Sequence, residues 1–182
     1  ALYPAEQVLQ DYITGRVNKS GVKKWVRVNT AVTSCVYDGS SETFTVTTRN
    51  TGTGDECVEV FDWVLCCTGH FSTPSVPEYP GMEGYSGRLM HAHDFRSAEE
   101  FKGKDILIVG TSYSAEDIAS QCYKYGVKSV TCSWRTAPMG FHWPDNFRTV
   151  PLLQSISGRT CTFKDGSTAD VDAIILCTGY RH

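Results

Sequence analysis

The spacing of apolar positions changes along the chain, and each change marks an element. Val8, Leu9, Tyr12, Ile13 and Val17 recur at helical spacing, with Pro4 placed as a helix start and Gly21 as its stop. Residues 25–28 and 32–37 read as strands. Residues 43–48 alternate cleanly and 57–61 follow as a further strand, separated by turns at Asp38-Gly39-Ser40 and at 50–54, a pattern that predicts an antiparallel β-meander. Residues 63–67 and 173–177 are continuous apolar runs of buried-strand type. Each is preceded by an Asp and stopped by Thr-Gly, at Thr68-Gly69 and Thr178-Gly179. Pro74, Pro77 and Pro80, with Gly81 and Gly84, give the stretch after the first of them the composition of a linker.

Between these two runs lies the segment around which the chain is organised. Asp105 precedes four branched apolar residues, Ile106 to Val109, and Gly110 ends them abruptly. Ala115, Ile118, Ala119 and Cys122 then fall on one helical face, Gly126 sits where a helix C-terminal glycine belongs, and residues 129–134 are β-rich again. Strand, glycine turn, helix and strand make one βαβ unit of mononucleotide-binding size. The turn reads Gly110-x-Ser112-x-Ser114-Ala115, a degenerate form of the dinucleotide fingerprint. Gly110 supplies the tight turn, Ala115 is small enough for close helix–strand packing, and the Ser112 hydroxyl can donate to a phosphate oxygen. The second strand ends at Trp134-Arg135-Thr136, where an NAD site would carry an acidic residue for the ribose hydroxyl. The planar donor fork of Arg135 suits a 2′-phosphate, so the ligand is read as NADPH; the plain alternative is a solvated strand-end arginine. The simplest architecture is α/β: a Rossmann-like NADP-binding domain inserted between connecting strands of a second domain that carries the meander.

Composition narrows the classes. The 182 residues carry a net charge of −3, which points to no nucleic-acid partner. No apolar run approaches bilayer-spanning length and no signal peptide is read. The chain opens on Ala1 and closes directly after a strand, so a fragment of a larger protein is expected. Eight cysteines show no Cys-x-x-Cys spacing, which argues against zinc-ribbon and thioredoxin-type sites. They read as reduced and mostly buried, and the location as cytoplasmic.

Tyr85-x-Gly87-x-x-x-His91-x-x-x-Phe95 resembles the signature of the flavin-containing monooxygenase family, with Tyr85 in place of its first Phe. The Thr-Gly stops resemble the inter-domain hinges of that family, and the resemblance extends over essentially the whole chain. It implies residues 1–70 as part of an FAD-binding domain, 71–177 as the NADP-binding domain and 178–182 as the hinge returning to the FAD domain. The implied cofactors are FAD and NADPH. The implied reaction is oxygenation of a small tertiary amine, trimethylamine first and sulfides or related amines next, by O₂ through a flavin C4a-hydroperoxide. Gly110, Ser112, Tyr113, Ser114, Arg135 and Thr136 match the NADP site, and His70, Phe71, Ser72 and Thr73 match the flavin–nicotinamide junction. No catalytic triad and no metal site are expected; a small-molecule amine and O₂ are the partners, and a homodimer is a compatible assembly. His91 reads as a signature residue hydrogen-bonding across the domain junction, in structural duty or cofactor contact. Tyr113 either covers the dinucleotide or packs on the helix start. Phe141, Trp143 and Phe147 could line an amine pocket, but read more simply as packing. Two other functions stay open: an NADP(H)-binding fragment without catalysis, and a relative of the flavin disulfide reductases.

Overall fold

The computed structural model describes residues 6–181. The chain divides into two compact units, Ala1–Cys67 and Thr68–His182. In the first, helix α1 (Glu6–Ser20) forms where the periodicity places it, while Pro4 lies outside the described residues. Strands β1 (Thr30–Asp38), β2 (Thr43–Asn50) and β3 (Glu56–Phe61) form the meander, antiparallel in sequence order. Side chains close both turns. Asp38 accepts from the Ser40 amide and hydroxyl and from the Ser41 hydroxyl, which together pull its carboxyl down to about 2. The Asn50 side-chain oxygen accepts from the amides of Gly52 and Thr53 at 2.8 and 3.0 Å.

Two expected strands of this unit are absent. A short 3₁₀ turn, Val22–Trp25, replaces the start of the first, and Asn29 at φ 54 breaks the extended run before β1. Residues 63–67 join no ladder, and Trp63 and Leu65 stay 89% and 87% exposed. A strand of this type takes its hydrogen bonds from neighbours on both sides, and no described strand lies beside it.

The second unit centres on a five-stranded parallel sheet in the order β5-β12-β6-β7-β8. Its strands are β5 (Arg88–His91), β6 (Asp105–Val109), β7 (Ser129–Ser133), β8 (Phe147–Val150) and β12 (Ala173–Leu176). Helix α2 (Tyr113–Lys124) crosses from β6 to β7 as the βαβ pattern requires, and Gly126 closes it at φ 82. Alternation along the strands makes two cores. Ile106, Ile108, Ala173, Ile175 and Cys177 face Ala115, Ile118, Ala119 and Cys122 of α2. Leu107, Val109, Ile174 and Leu176 point the other way. The four apolar side chains of β6 are each at most 4% exposed, and burial of such a side chain contributes about 1.5–3 kcal/mol.

The second core packs against a layer that the sequence reading overlooked. Strands β9 (Leu153–Ser157), β10 (Thr160–Phe163) and β11 (Thr168–Asp170) form an antiparallel sheet, with Leu153, Ile156, Cys161 and Phe163 turned inward. The signal was present: residues 160–163 alternate, and Gly158 and Asp165-Gly166 mark the turns. The signature residues near this layer have structural duties. The Tyr85 hydroxyl donates to the Val171 carbonyl at 3.1 Å, a bond that Phe could not make. A Cβ on Gly87 would strike the Tyr85 ring and stand 2.6 Å from the Asp172 carbonyl oxygen. Phe95 stacks on Phe101 at 6.0 Å.

Candidate functional site

From β6 the chain runs outward through β7 to β8, while β12 and β5 lie on the other side of β6. The strand order therefore reverses at β6, and in open parallel sheets ligands bind beyond the carboxyl ends of the strands at such a reversal. Gly110 occupies that point. Its φ of 124 and the adjacent Cys177 backbone both exclude a side chain: a Cβ would press on the Cys177 carbonyl oxygen and lie 3.1 Å from its carbon. The turn is pinned on both flanks, since the Gly110 amide donates to Ser133 at 2.9 Å and the Cys177 amide to Val109 at 2.8 Å.

Ser112 then caps α2 through its backbone, its carbonyl accepting from the amides of Ala115 and Glu116 at 2.9 and 3.1 Å. The amides of Tyr113 and Ser114 precede the first intrahelical bond and are donors left for a ligand. The Ser112 hydroxyl makes no capping bond, and Ser112, Tyr113 and Ser114 are exposed, Tyr113 at 77%. A tight turn, orphan amides at a helix N-terminus and open hydroxyls suit a pyrophosphate.

Arg135 and Thr136 stand exposed beyond β7, one strand over. Two contacts bring their loop to the turn and hold its root. The Thr111 hydroxyl donates to the Ala137 carbonyl at 3.1 Å. Buried Ser133 donates to the Pro151 carbonyl at 2.9 Å and accepts from the Leu153 amide at 3.0 Å, tying the end of β7 to the β8–β9 connection. The predicted nucleotide residues thus share one edge of the sheet.

His70, Phe71, Ser72 and Thr73 lie by the end of β12. Strand β4 (Thr73–Pro74) pairs antiparallel with β13 (Tyr180–Arg181). The Thr178 hydroxyl donates to the Ser75 carbonyl at 2.6 Å, and the Ser75 amide donates to Gly179 at 2.9 Å. The His70 and Phe71 rings are 3.9 Å apart, and Phe71 meets Tyr180 at 5.0 Å. Tyr180 also touches His91 edge-on at 5.3 Å and His93 at 6.1 Å. His91 is 5% exposed, and its Nδ1 accepts from the His93 amide at 3.0 Å, which puts the proton of the neutral ring on Nε2. Nε2 is buried without a hydrogen-bond partner among the described residues. Burial lowers the His91 pKa, and the Gly179 carbonyl acts in the opposite sense.

The sequence reading missed Thr111, Ser133 and Tyr180, which position the edge. Only the aromatic after the second Thr-Gly stop could have pointed to one of them. The cysteines divide evenly, with Cys35, Cys57, Cys66 and Cys67 exposed and Cys122, Cys132, Cys161 and Cys177 buried, so the expectation of mostly buried thiols is corrected. Burial pushes the Cys122 and Cys132 thiols up to about 12, so neither is an ionised nucleophile beside the turn. Trp143 stacks on Phe147 at 4.2 Å and packs against the first core, which is the packing duty anticipated for it. Among the described residues no group of three or more His, Cys, Asp or Glu could hold a metal ion, and no helix is long and apolar enough to cross a membrane.

The Flavin-binding monooxygenase-like family model matches residues 2–139. A trimethylamine monooxygenase of Roseovarius sp. is 60% identical over 182 residues, all of this chain and 40% of the relative. That of Roseovarius nubinhibens is 57% identical, again over all of this chain and 41% of the relative. The crystal structure of Tmm from Pelagibacter sp. strain HTCC7211 superposes with a TM-score of 0.91 at 47% identity, covering 98% of this chain and 40% of that one. The chain thus spans about two-fifths of the length of the curated relatives it matches.

Proposed function

Because the chain belongs to the flavin-binding monooxygenase-like family, we propose that the whole protein is an NADPH- and FAD-dependent monooxygenase that converts trimethylamine, or a related tertiary amine or sulfide, to its oxide with O₂. One observation carries this reading: the full-length match of this chain to proteins named trimethylamine monooxygenase, at 60% identity. In this assignment residues 1–70 belong to the FAD-binding domain, 71–177 form the NADP-binding domain and 178–182 return to the first. Cytoplasmic location and a homodimer belong to the same reading.

When bound, the reduced flavin supplies the oxygen-activating chemistry, and the protein supplies binding, orientation and exclusion of water. Gly110 lets the turn pass close against the Cys177 backbone. The Tyr113 and Ser114 amides and the Ser112 and Ser114 hydroxyls would hold the pyrophosphate, with the exposed Tyr113 ring as its cover. The Arg135 fork takes the 2′-phosphate, with Thr136 beside it. His70, Phe71, Ser72 and Thr73, at the end of β12, would serve the nicotinamide end. The sheet edge supports this division, since β7, β6 and β12 stand in that order along it.

The test is NADPH consumption by the full-length, flavin-loaded protein with and without trimethylamine, scored by trimethylamine N-oxide. N-oxide with NADPH, and far less with NADH, is expected. Arg135→Gln should lower kcat/KM for NADPH about 10- to 100-fold while leaving NADH turnover nearly unchanged, the loss expected for a charge-assisted hydrogen-bond pair. Consumption that yields only hydrogen peroxide would remove the amine, and no consumption would leave a nucleotide-binding module. The disulfide reductase alternative is not favoured: the relatives carry monooxygenase names, and this chain has no Cys-x-x-Cys.

A further inference from the structure

The turn that ends β6 and the loop that follows β7 carry the two halves of the proposed nucleotide site, and a side-chain bond joins them. The Thr111 hydroxyl donates to the Ala137 carbonyl at 3.1 Å. On the turn side, Thr111 directly precedes Ser112, Tyr113 and Ser114. On the loop side, Arg135 stands two residues before Ala137, at most about 7 Å of chain. Two further ties from the turn stop within β7: the Gly110 amide donates to the Ser133 carbonyl at 2.9 Å, and the Cys132 thiol donates to the Gly110 carbonyl at 3.4 Å. Thr111 reaches past the strand end to the loop itself. That loop is anchored at both ends without Thr111, by the Trp134 amide donating to the Val150 carbonyl at 2.9 Å and by Met139, buried in the first core. Between those anchors residues 135–138 are all exposed. Both partners of the bond are set in advance. Thr111 is half-buried and β-branched, which restricts its hydroxyl to few rotamers, and Pro138 biases Ala137 toward extended backbone.

We propose that Thr111 is a positioning residue for the coenzyme: its hydroxyl sets the spacing between the pyrophosphate turn and the Arg135 loop, so that a 2′-phosphorylated dinucleotide meets one preformed clamp. The inference rests on the NADP reading of that edge. A ligand that touches both halves gains because its second contact is intramolecular, and the gain is greatest when the halves already stand at the ligand's own spacing. A ligand that touches one half gains nothing from the spacing. Thr111 therefore contributes to affinity for the whole coenzyme and not for its parts. It sharpens the choice of NADP over NAD, which brings no phosphate to the Arg135 half.

The experiment measures calorimetric binding of NADP⁺, NAD⁺ and 2′-AMP to the full-length flavin-loaded protein and to its Thr111→Val, Thr111→Ser and Arg135→Gln variants. Thr111→Val keeps the branched shape and removes the hydroxyl; Thr111→Ser keeps the hydroxyl. In Thr111→Val the affinity for NADP⁺ should fall about three- to tenfold, the range of one hydrogen bond, with NAD⁺ and 2′-AMP within about twofold of the parent. Thr111→Ser should restore most of that loss. Unchanged NADP⁺ binding in Thr111→Val would overturn the role of Thr111. Equal losses for all three ligands, or no recovery in Thr111→Ser, would overturn it too, by reducing Thr111 to packing. Arg135→Gln separates the two readings: it should weaken NADP⁺ and 2′-AMP and spare NAD⁺. A parent protein that binds NADP⁺ no better than NAD⁺, or an Arg135→Gln variant that binds all three as the parent does, would overturn the NADP reading and this inference with it.

Discussion

Replacing Gly110 by Ala tests whether the turn, and not merely a flexible residue, organises the sheet edge. At φ 124 an alanine enters a region essentially confined to glycine, which costs about 1–3 kcal/mol. The added Cβ would also press on the Cys177 carbonyl oxygen and lie 3.3 Å from the Cys177 Cβ. Neither neighbour can swing aside, because one is backbone and the other is buried. Relief requires β6 and β12 to part at their carboxyl ends, which loosens the bond from the Cys177 amide to Val109 and removes about 1 kcal/mol more. With the residual overlap, the local loss is ~3 kcal/mol, a sizeable part of the 5–15 kcal/mol that typically holds a domain. Hydrogen exchange reads this directly: amides of β6 and β12 should exchange about a hundredfold faster, each 1.4 kcal/mol being a factor of ten. Gly103→Ala is the control. Its φ is 71, yet a Cβ there meets nothing within 4 Å, so it carries only the left-handed penalty of about 1–2 kcal/mol. If β6 and β12 exchange no faster in Gly110→Ala than in Gly103→Ala, the close approach of Gly110 to Cys177 is not what requires a glycine.

Two further outcomes follow from burial. Burial depresses the His91 pKa below 6.5, so the unfolded chain binds its proton before the folded one does; stability should fall as pH drops below about 6.5 and level off once folded His91 is itself protonated. The slope contributed by one proton cannot exceed about 1.4 kcal/mol per pH unit, and His91→Gln, which never charges, should show a shallower fall of Tm with acid; parallel profiles would exclude His91 as the titrating group. In the 182-residue chain at pH 8, iodoacetamide should modify Cys35, Cys57, Cys66 and Cys67, and reach Cys122, Cys132, Cys161 and Cys177 only after denaturation. Burial holds the Cys161 thiol at about 11 and raises Cys177 as well, and peptide mapping that found native-state label on Cys132 or Cys177 would contradict the packing behind the turn.

Local chemistry by itself determined the β-meander, the βαβ unit and the helical face of α2. Periodicity and turn residues are properties of neighbours in the chain, and Asp38, Asn50, Gly110 and Gly126 act within a few residues of themselves. The Tyr85-to-Phe95 signature likewise made the family legible. Only the tertiary structure decided which apolar runs become strands. Residues 63–67 and 173–177 read alike, yet only the second finds neighbours, β5 and β6, to complete its hydrogen bonds. It also decided which residues meet at the carboxyl edge. Phe71 and Tyr180 lie far apart in sequence, and their approach depends on the pairing of β4 with β13 at the end of β12. A strand's own pattern states that it will be buried; it does not state beside what, because pairing partners are chosen by the register and packing of the whole sheet.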